Sequence, residues 1–134
     1  MGHGTILPYG AINPFARGDG VETRLMVGQA KVSETPFTSG TTIFPAGASA
    51  PMHSHNCAEQ VTVLAGLAVA EVDGVRTELG PMDTSFIPAE VPHRFANAGD
   101  GPLTILWIYG ATDVTRTFTD TGETVPHLSL ADKV

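Results

Sequence analysis

Asp73-Gly74 constrains the fold more than any other dipeptide in the chain. It separates two short apolar runs, LAVAEV at 67–72 and VRTEL at 75–79. A two-residue hairpin turn compatible with twisted strands needs positive φ at both central positions, and Asp-Gly supplies it. The two runs are therefore expected to pair as antiparallel strands. The same alternation of apolar run and turn residue recurs along the chain, giving further expected strands at 22–27, 40–45, 50–55, 59–65, 84–87, 92–97, 103–110 and 114–119. No segment carries the length and 3.6-residue periodicity of a helix. Short strands at this spacing predict an all-β sandwich or barrel. Residues 1–20, with Pro8, Pro14 and several glycines, read as an irregular arm laid over a single domain spanning 1–134.

Charge narrows the partners. Seven Lys and Arg stand against fourteen Asp and Glu, a net charge of −7, which disfavours phosphate backbones and anionic membrane surfaces. Neither nucleic acid nor membrane is an expected partner. The lone Cys57 excludes an internal disulfide framework and a cysteine-rich zinc module. Met1–Pro8 has neither the basic nor the apolar region of a secretory signal, and no apolar run reaches the roughly 18 residues of a membrane span. A soluble, cytoplasmic protein is the expectation.

The chemistry concentrates between Gly47 and Asn97. In EQVTVL (59–64), alternate residues share a face of the strand, so Glu59 lies with Val61 and Val63 on the side expected to be buried. A carboxylate on an apolar face is costly unless a cation meets it. The preceding strand supplies His53 and His55, whose i, i+2 spacing puts both imidazoles on one face. An arginine could answer Glu59, but the two histidines and the glutamate together are natural ligands of one metal ion. A metal-free barrel that keeps these groups as polar lumen residues is the competing reading.

These residues resemble the cupin superfamily. Its first motif, G-x5-H-x-H-x3-E-x6-G, is matched in full by Gly47, His53, His55, Glu59 and Gly66. Its second, G-x5-P-x-G-x2-H-x3-N, aligns with Pro88, His93 and Asn97, whereas Met82 and Glu90 stand where the motif has glycines. The resemblance spans roughly 40–110, leaving a C-terminal extension at 112–134. It implies a double-stranded β-helix, a small jelly roll with a metal inside one open end, held by His53, His55, Glu59 and His93. Three neutral imidazoles and one carboxylate suit one divalent transition metal per chain and leave two octahedral positions open. Iron or manganese is favoured; nickel, cobalt, copper and zinc also fit the set.

Around this set, Phe95 shares a face with His93, Phe44 and Met52 flank the first motif, and Cys57 and Trp107 have the parity to face inward. These five residues are the expected walls of a substrate pocket. Cys57 faces inward only if no loop intervenes between His55 and Glu59. His3 and His127 read as solvated, Arg94 should point away from its neighbour His93, and no arginine is placed in the pocket by its position alone. LTILWIY (103–109) is apolar on nearly both faces. Such a strand either lies between the cores of two sheets or is covered by a second subunit, and with the terminal arms it points to a homodimer. The alternative is that the tail caps its own barrel.

The expected function is that of a metal-dependent enzyme acting on a small organic molecule. Dioxygenase-type oxidoreductase chemistry comes first, with isomerase, lyase or decarboxylase chemistry next. Glu59 would serve as ligand and exchange protons when detached. A non-catalytic small-molecule-binding or sensory module is the alternative from another class, favoured by the lack of a second titratable lumen residue placed by parity.

Overall fold

The computed structural model describes residues 4–134; His3 lies outside the described residues. The chain is a double-stranded β-helix, a jelly roll of two antiparallel sheets. After a turn of 3-10 helix at Tyr9–Ala11 come β1 (Phe15–Gly18), β2 (Val21–Val27), β3 (Thr38–Phe44), β4 (His53–His55), β5 (Glu59–Ala65) and β6 (Ala68–Val72). They are followed by β7 (Val75–Leu79), β8 (Thr84–Ile87), β9 (His93–Asn97), β10 (Leu103–Tyr109), β11 (Thr115–Phe118) and β12 (Thr124–Pro126). One sheet has the order β1-β2-β3-β10-β5-β8, the other β12-β11-β4-β9-β6-β7. Among the described residues, no helix is long and apolar enough to cross a membrane.

Alternation in sequence becomes alternation in burial. On β10, Leu103, Ile105, Trp107 and Tyr109 are buried between the sheets, while Thr104, Leu106 and Ile108 are half-buried on the outer face. The strand sits mid-sheet, hydrogen-bonded to β3 on one side and β5 on the other. Asp73-Gly74 closes the β6–β7 hairpin with φ of 50° and 81°.

Two strands fall where none was expected. Phe15–Gly18, inside the supposedly irregular arm, pairs with β2 across the Gly18–Asp19–Gly20 turn, and Thr124–Pro126 pairs with β11. Both are short edge strands whose order comes from their partner rather than from their own alternation. Conversely, the strand expected at 50–55 shrinks to His53–His55, since Pro51 has no N–H to give a ladder.

The two departures from the second motif leave the backbone path intact. Met82 and Glu90 adopt φ of 74° and 68°, the left-handed region glycine would favour. Each amide is tied across the sheet, Met82 N–H to the Val63 carbonyl at 2.6 Å and Glu90 N–H to the His55 carbonyl at 2.8 Å. These turn hydrogen bonds hold both residues in a conformation their side chains disfavour.

Candidate metal centre

His53 and His55 alternate with half-buried Ser54 on β4, so both rings point inward, at 7% and 3% exposure. His93 pairs directly with His53 across β4–β9. Glu59 enters from the opposite sheet as the first residue of β5, beside Val61 and Val63, and is buried with them. The three imidazoles offer nitrogen atoms within 4.8 Å of one another. Glu59 Oε1 lies 3.0 Å from His93 Nε2 and 3.6 Å from His55 Nε2.

The backbone decides which nitrogen faces the lumen. His53 Nδ1 lies 2.6 Å from the Pro51 carbonyl, His55 Nδ1 3.0 Å from that of Thr115, and His93 Nδ1 2.9 Å from that of Val91. A carbonyl only accepts, so each Nδ1 carries the proton and donates it. In a neutral ring Nε2 is then a bare lone pair. Burial, then the Arg116 charge, pushes the His53 pKa well below its ordinary value; burial also lowers His55 against the pull of Glu59. The Nε2 atoms of His53 and His55 are then lone pairs in a buried site, while His93 Nε2 and the Glu59 carboxylate, 3.0 Å apart, share a proton in a hydrogen bond. Such an arrangement calls for a cation among them, and the donor set, three imidazole nitrogens and one carboxylate, suits a divalent transition metal. The three buried histidines could hold such an ion.

The lumen around this cluster is a cavity of ≈ 50 Å³ open to the centre of a water-sized sphere, enough for an ion and a few small groups. Phe44, Phe95 and Trp107 line it, in the positions expected. Met52 and Cys57 do not. Asn56 and Cys57 form a bend between β4 and β5, so strand parity fails there and Cys57 packs against the outside of the core. Burial raises its thiol pKa.

Four titratable lining residues were not expected there: Arg17, Tyr109, Arg116 and His127. Tyr109 is the cross-strand partner of Glu59, and its hydroxyl donates to His55 Nε2 at 3.3 Å. Burial and the Glu59 charge raise its pKa well above the ordinary value, so the phenol stays protonated. Its parity with Trp107 was a usable signal. His127, expected in solvent, lies edge-on to both Trp107 and Tyr109, each ring 5.0 Å away. Arg116 faces His55 across β11–β4, and Arg17 projects from β1, so both depended on strands or pairings that local pattern does not show. Arg94 instead pairs with Glu71 at 2.7 Å, away from the lumen as expected.

The tail caps its own barrel. Asp132 is fully buried, with Oδ1 3.0 Å from Arg17 Nη1 and 2.8 Å from Arg116 Nη1. Burial alone would raise its carboxyl pKa, but the two guanidinium groups outweigh it and hold the value below the ordinary one.

A jelly roll with inward histidines at the open end of its lumen defines a class of small β-barrel proteins. Residues 40–109 match the family model described as the cupin domain, and the chain belongs to that family. It is 28% identical over 99 residues to an uncharacterized protein of Methanocaldococcus jannaschii, spanning 73% of this chain and 79% of that one. Among solved structures it is similar to a cupin-superfamily sugar phosphate isomerase from Silicibacter pomeroyi, with TM-score 0.73 and 20% identity over 97% of this chain and 96% of that chain. It is also similar to Bacillus subtilis oxalate decarboxylase, with TM-score 0.71 and 23% identity, covering 81% of this chain but only 30% of the decarboxylase. At these identities the likeness shows the fold.

Proposed function

We propose that the protein is a metal-dependent cupin enzyme that binds one divalent transition metal through His53, His55, Glu59 and His93 and converts a small oxygen-bearing molecule. The observation that carries this reading is the gathering of three buried imidazoles, each anchored through Nδ1 to a backbone carbonyl, beside the Glu59 carboxylate, with the protonated Tyr109 phenol next to them. A divalent ion held there supplies a Lewis acid that polarises a coordinated oxygen. The Nδ1–carbonyl bonds hold the rings in orientation. Glu59 would balance the charge of the ion as one of its ligands and offers a carboxylate that can hold a proton. Tyr109 holds a proton within reach of the same space, and Phe44, Phe95 and Trp107 exclude bulk water.

Proton transfer at an activated oxygen is isomerase, lyase or decarboxylase chemistry, and we favour it over dioxygen-dependent oxidation. The lumen holds a proton donor and a carboxylate, the two groups such chemistry uses. The similar proteins named as an isomerase and a decarboxylase agree with it. A purely binding or sensory module has less support, because the second titratable group it would lack is present as Tyr109. The test is to incubate the metal-loaded protein in deuterium oxide with a panel of small hydroxy and oxo acids and follow the mixture by NMR and an oxygen electrode. Metal-dependent deuterium exchange or conversion without oxygen uptake is the expected result. Binding without any conversion would contradict catalysis, and oxygen uptake would return the reaction to the dioxygenase class.

A further inference from the structure

Arg116 is among the most deeply buried polar side chains of the protein, at 3% exposure, and it lines the lumen. Its Nη1 is occupied, by Asp132 Oδ1 at 2.8 Å and the Lys133 carbonyl at 3.1 Å. Its Nη2 has one neighbour of hydrogen-bonding type, His53 Nδ1 at 3.4 Å. That nitrogen already donates its proton to the Pro51 carbonyl at 2.6 Å and cannot accept. Arg116 Nη2 is thus a charged donor without an acceptor, on a buried side chain that lines the cavity beside the histidine cluster. Leaving it so is costly.

Arg17 reaches the same place from the other sheet. Its Nε donates to Thr23 Oγ1 at 2.7 Å, Thr23 is bonded to Thr42 at 2.9 Å, and Thr42 accepts from Trp107 Nε1 at 2.9 Å. This buried chain fixes the guanidinium of Arg17. Its Nη1 shares Asp132 Oδ1 with Arg116, and its Nη2 has the His127 ring at 3.5 Å. The charges in the lumen complete the picture. Two guanidinium groups are balanced by the carboxylates of Asp132 and Glu59, so a divalent ion at the histidines leaves two positive charges uncompensated in a low-dielectric cavity.

We propose that Arg17 and Arg116 form a carboxylate-binding subsite next to the metal centre, with the Asp132 carboxylate on the C-terminal segment as a tethered competitor for it. The substrate class of the reading above is then a small carboxylic acid, with one end on the guanidinium groups and an oxygen directed to the histidine cluster. The inference rests on that reading for the second contact only. A planar guanidinium fork matches a carboxylate. Asp132, on the segment that packs onto β1 through the Val134 N–H to Arg17 carbonyl bond at 3.0 Å, stabilises the arginines while the subsite is free of ligand.

The test titrates the metal-loaded protein with malonate, with neutral malonamide and with inorganic phosphate. Fluorescence of Trp107, the chain's single tryptophan, and the melting temperature report binding, and bound metal is measured in every sample. Malonate should quench or shift the emission and raise the melting temperature, with malonamide at least tenfold weaker. Arg116→Gln should lose malonate binding at least tenfold with its metal content unchanged. Asp132→Asn, which frees both arginines, should bind malonate at least threefold more tightly, and this opposite sign keeps the test decisive if Arg116→Gln fails to fold. Equal affinity for malonate and malonamide, or malonate affinity unchanged or weakened in folded Asp132→Asn, would overturn the proposal. Phosphate binding tighter than malonate would overturn the assignment to carboxylates. A chain that holds no metal but still binds malonate through Arg116 would refute the metal-enzyme reading alone.

Discussion

His127 makes acid stability a quantitative test of how the lumen is built. Burial, followed by the Arg17 charge, lowers its pKa to about 3, against about 6.5 for an unfolded histidine. Between those values the unfolded chain binds a proton that the folded chain refuses, so stability is full above pH 6.5 and falls as the pH drops. At pH 5 the penalty is about 1.5 pH units at 1.36 kcal/mol each, or about 2 kcal/mol, and it approaches about 5 kcal/mol near pH 3. For a domain stable by roughly 5–15 kcal/mol this is a large share. His127→Gln removes the titrating group and keeps an acceptor for Arg17. Urea unfolding followed by Trp107 fluorescence, at pH 7.5 and pH 5.0 with excess chelator, gives the stability of both proteins at both values. The unsubstituted chain should lose about 2 kcal/mol more than the variant between the two. His53 and His55, also lowered by burial, act in the same direction in both proteins and cancel in the comparison. The same pH dependence in both would refute the half-buried, neutral placement of His127.

Other predictions concern the backbone and the outer face. Met82→Gly and Glu90→Gly should each raise stability by about 1 kcal/mol in thermal melts, because both residues hold positive φ; a loss in both would show that their side chains matter more than their backbone strain. Gly66→Ala should cost about 2 kcal/mol or more, since its φ is +87° and a Cβ there would lie 2.4 Å from the Pro102 carbonyl oxygen. Gly47→Ala, at φ +82° with nothing within 4 Å of the added atom, should cost about 1 kcal/mol by the same measurement. Leu106 and Ile108 stand half-buried on the outer face of β10, and sedimentation at micromolar concentration is expected to give twice the chain mass.

Strand parity made much of the barrel legible. The alternation that put Glu59 beside Val61 and Val63, and His53 beside His55, is the alternation found in the burial of β4 and β5. The reading failed where a residue's place depends on a distant partner. Phe15–Gly18 is a strand because β2 lies beside it, and Arg17 reaches the lumen only through that pairing. Asp132, Arg116 and His127 meet because the C-terminal segment folds back over the open end; nothing in the local pattern of 112–134 carries that return. Cys57 shows the limit of parity itself, which does not survive the bend at Asn56 and Cys57. Tyr109 was within reach, as it shares its face with Trp107 and opposes Glu59.

The metal content of the purified protein tests the central claim most directly. The chain is prepared without chelator, dialysed and analysed for transition metals beside His55→Ala and His93→Ala, each checked for β-structure by circular dichroism. The account predicts about one divalent ion per chain in the unsubstituted protein and a large loss in both variants. Undiminished metal in both folded variants, or an unsubstituted protein that takes up no divalent metal when supplied with it, would contradict the assignment of His53, His55, Glu59 and His93 as a metal centre.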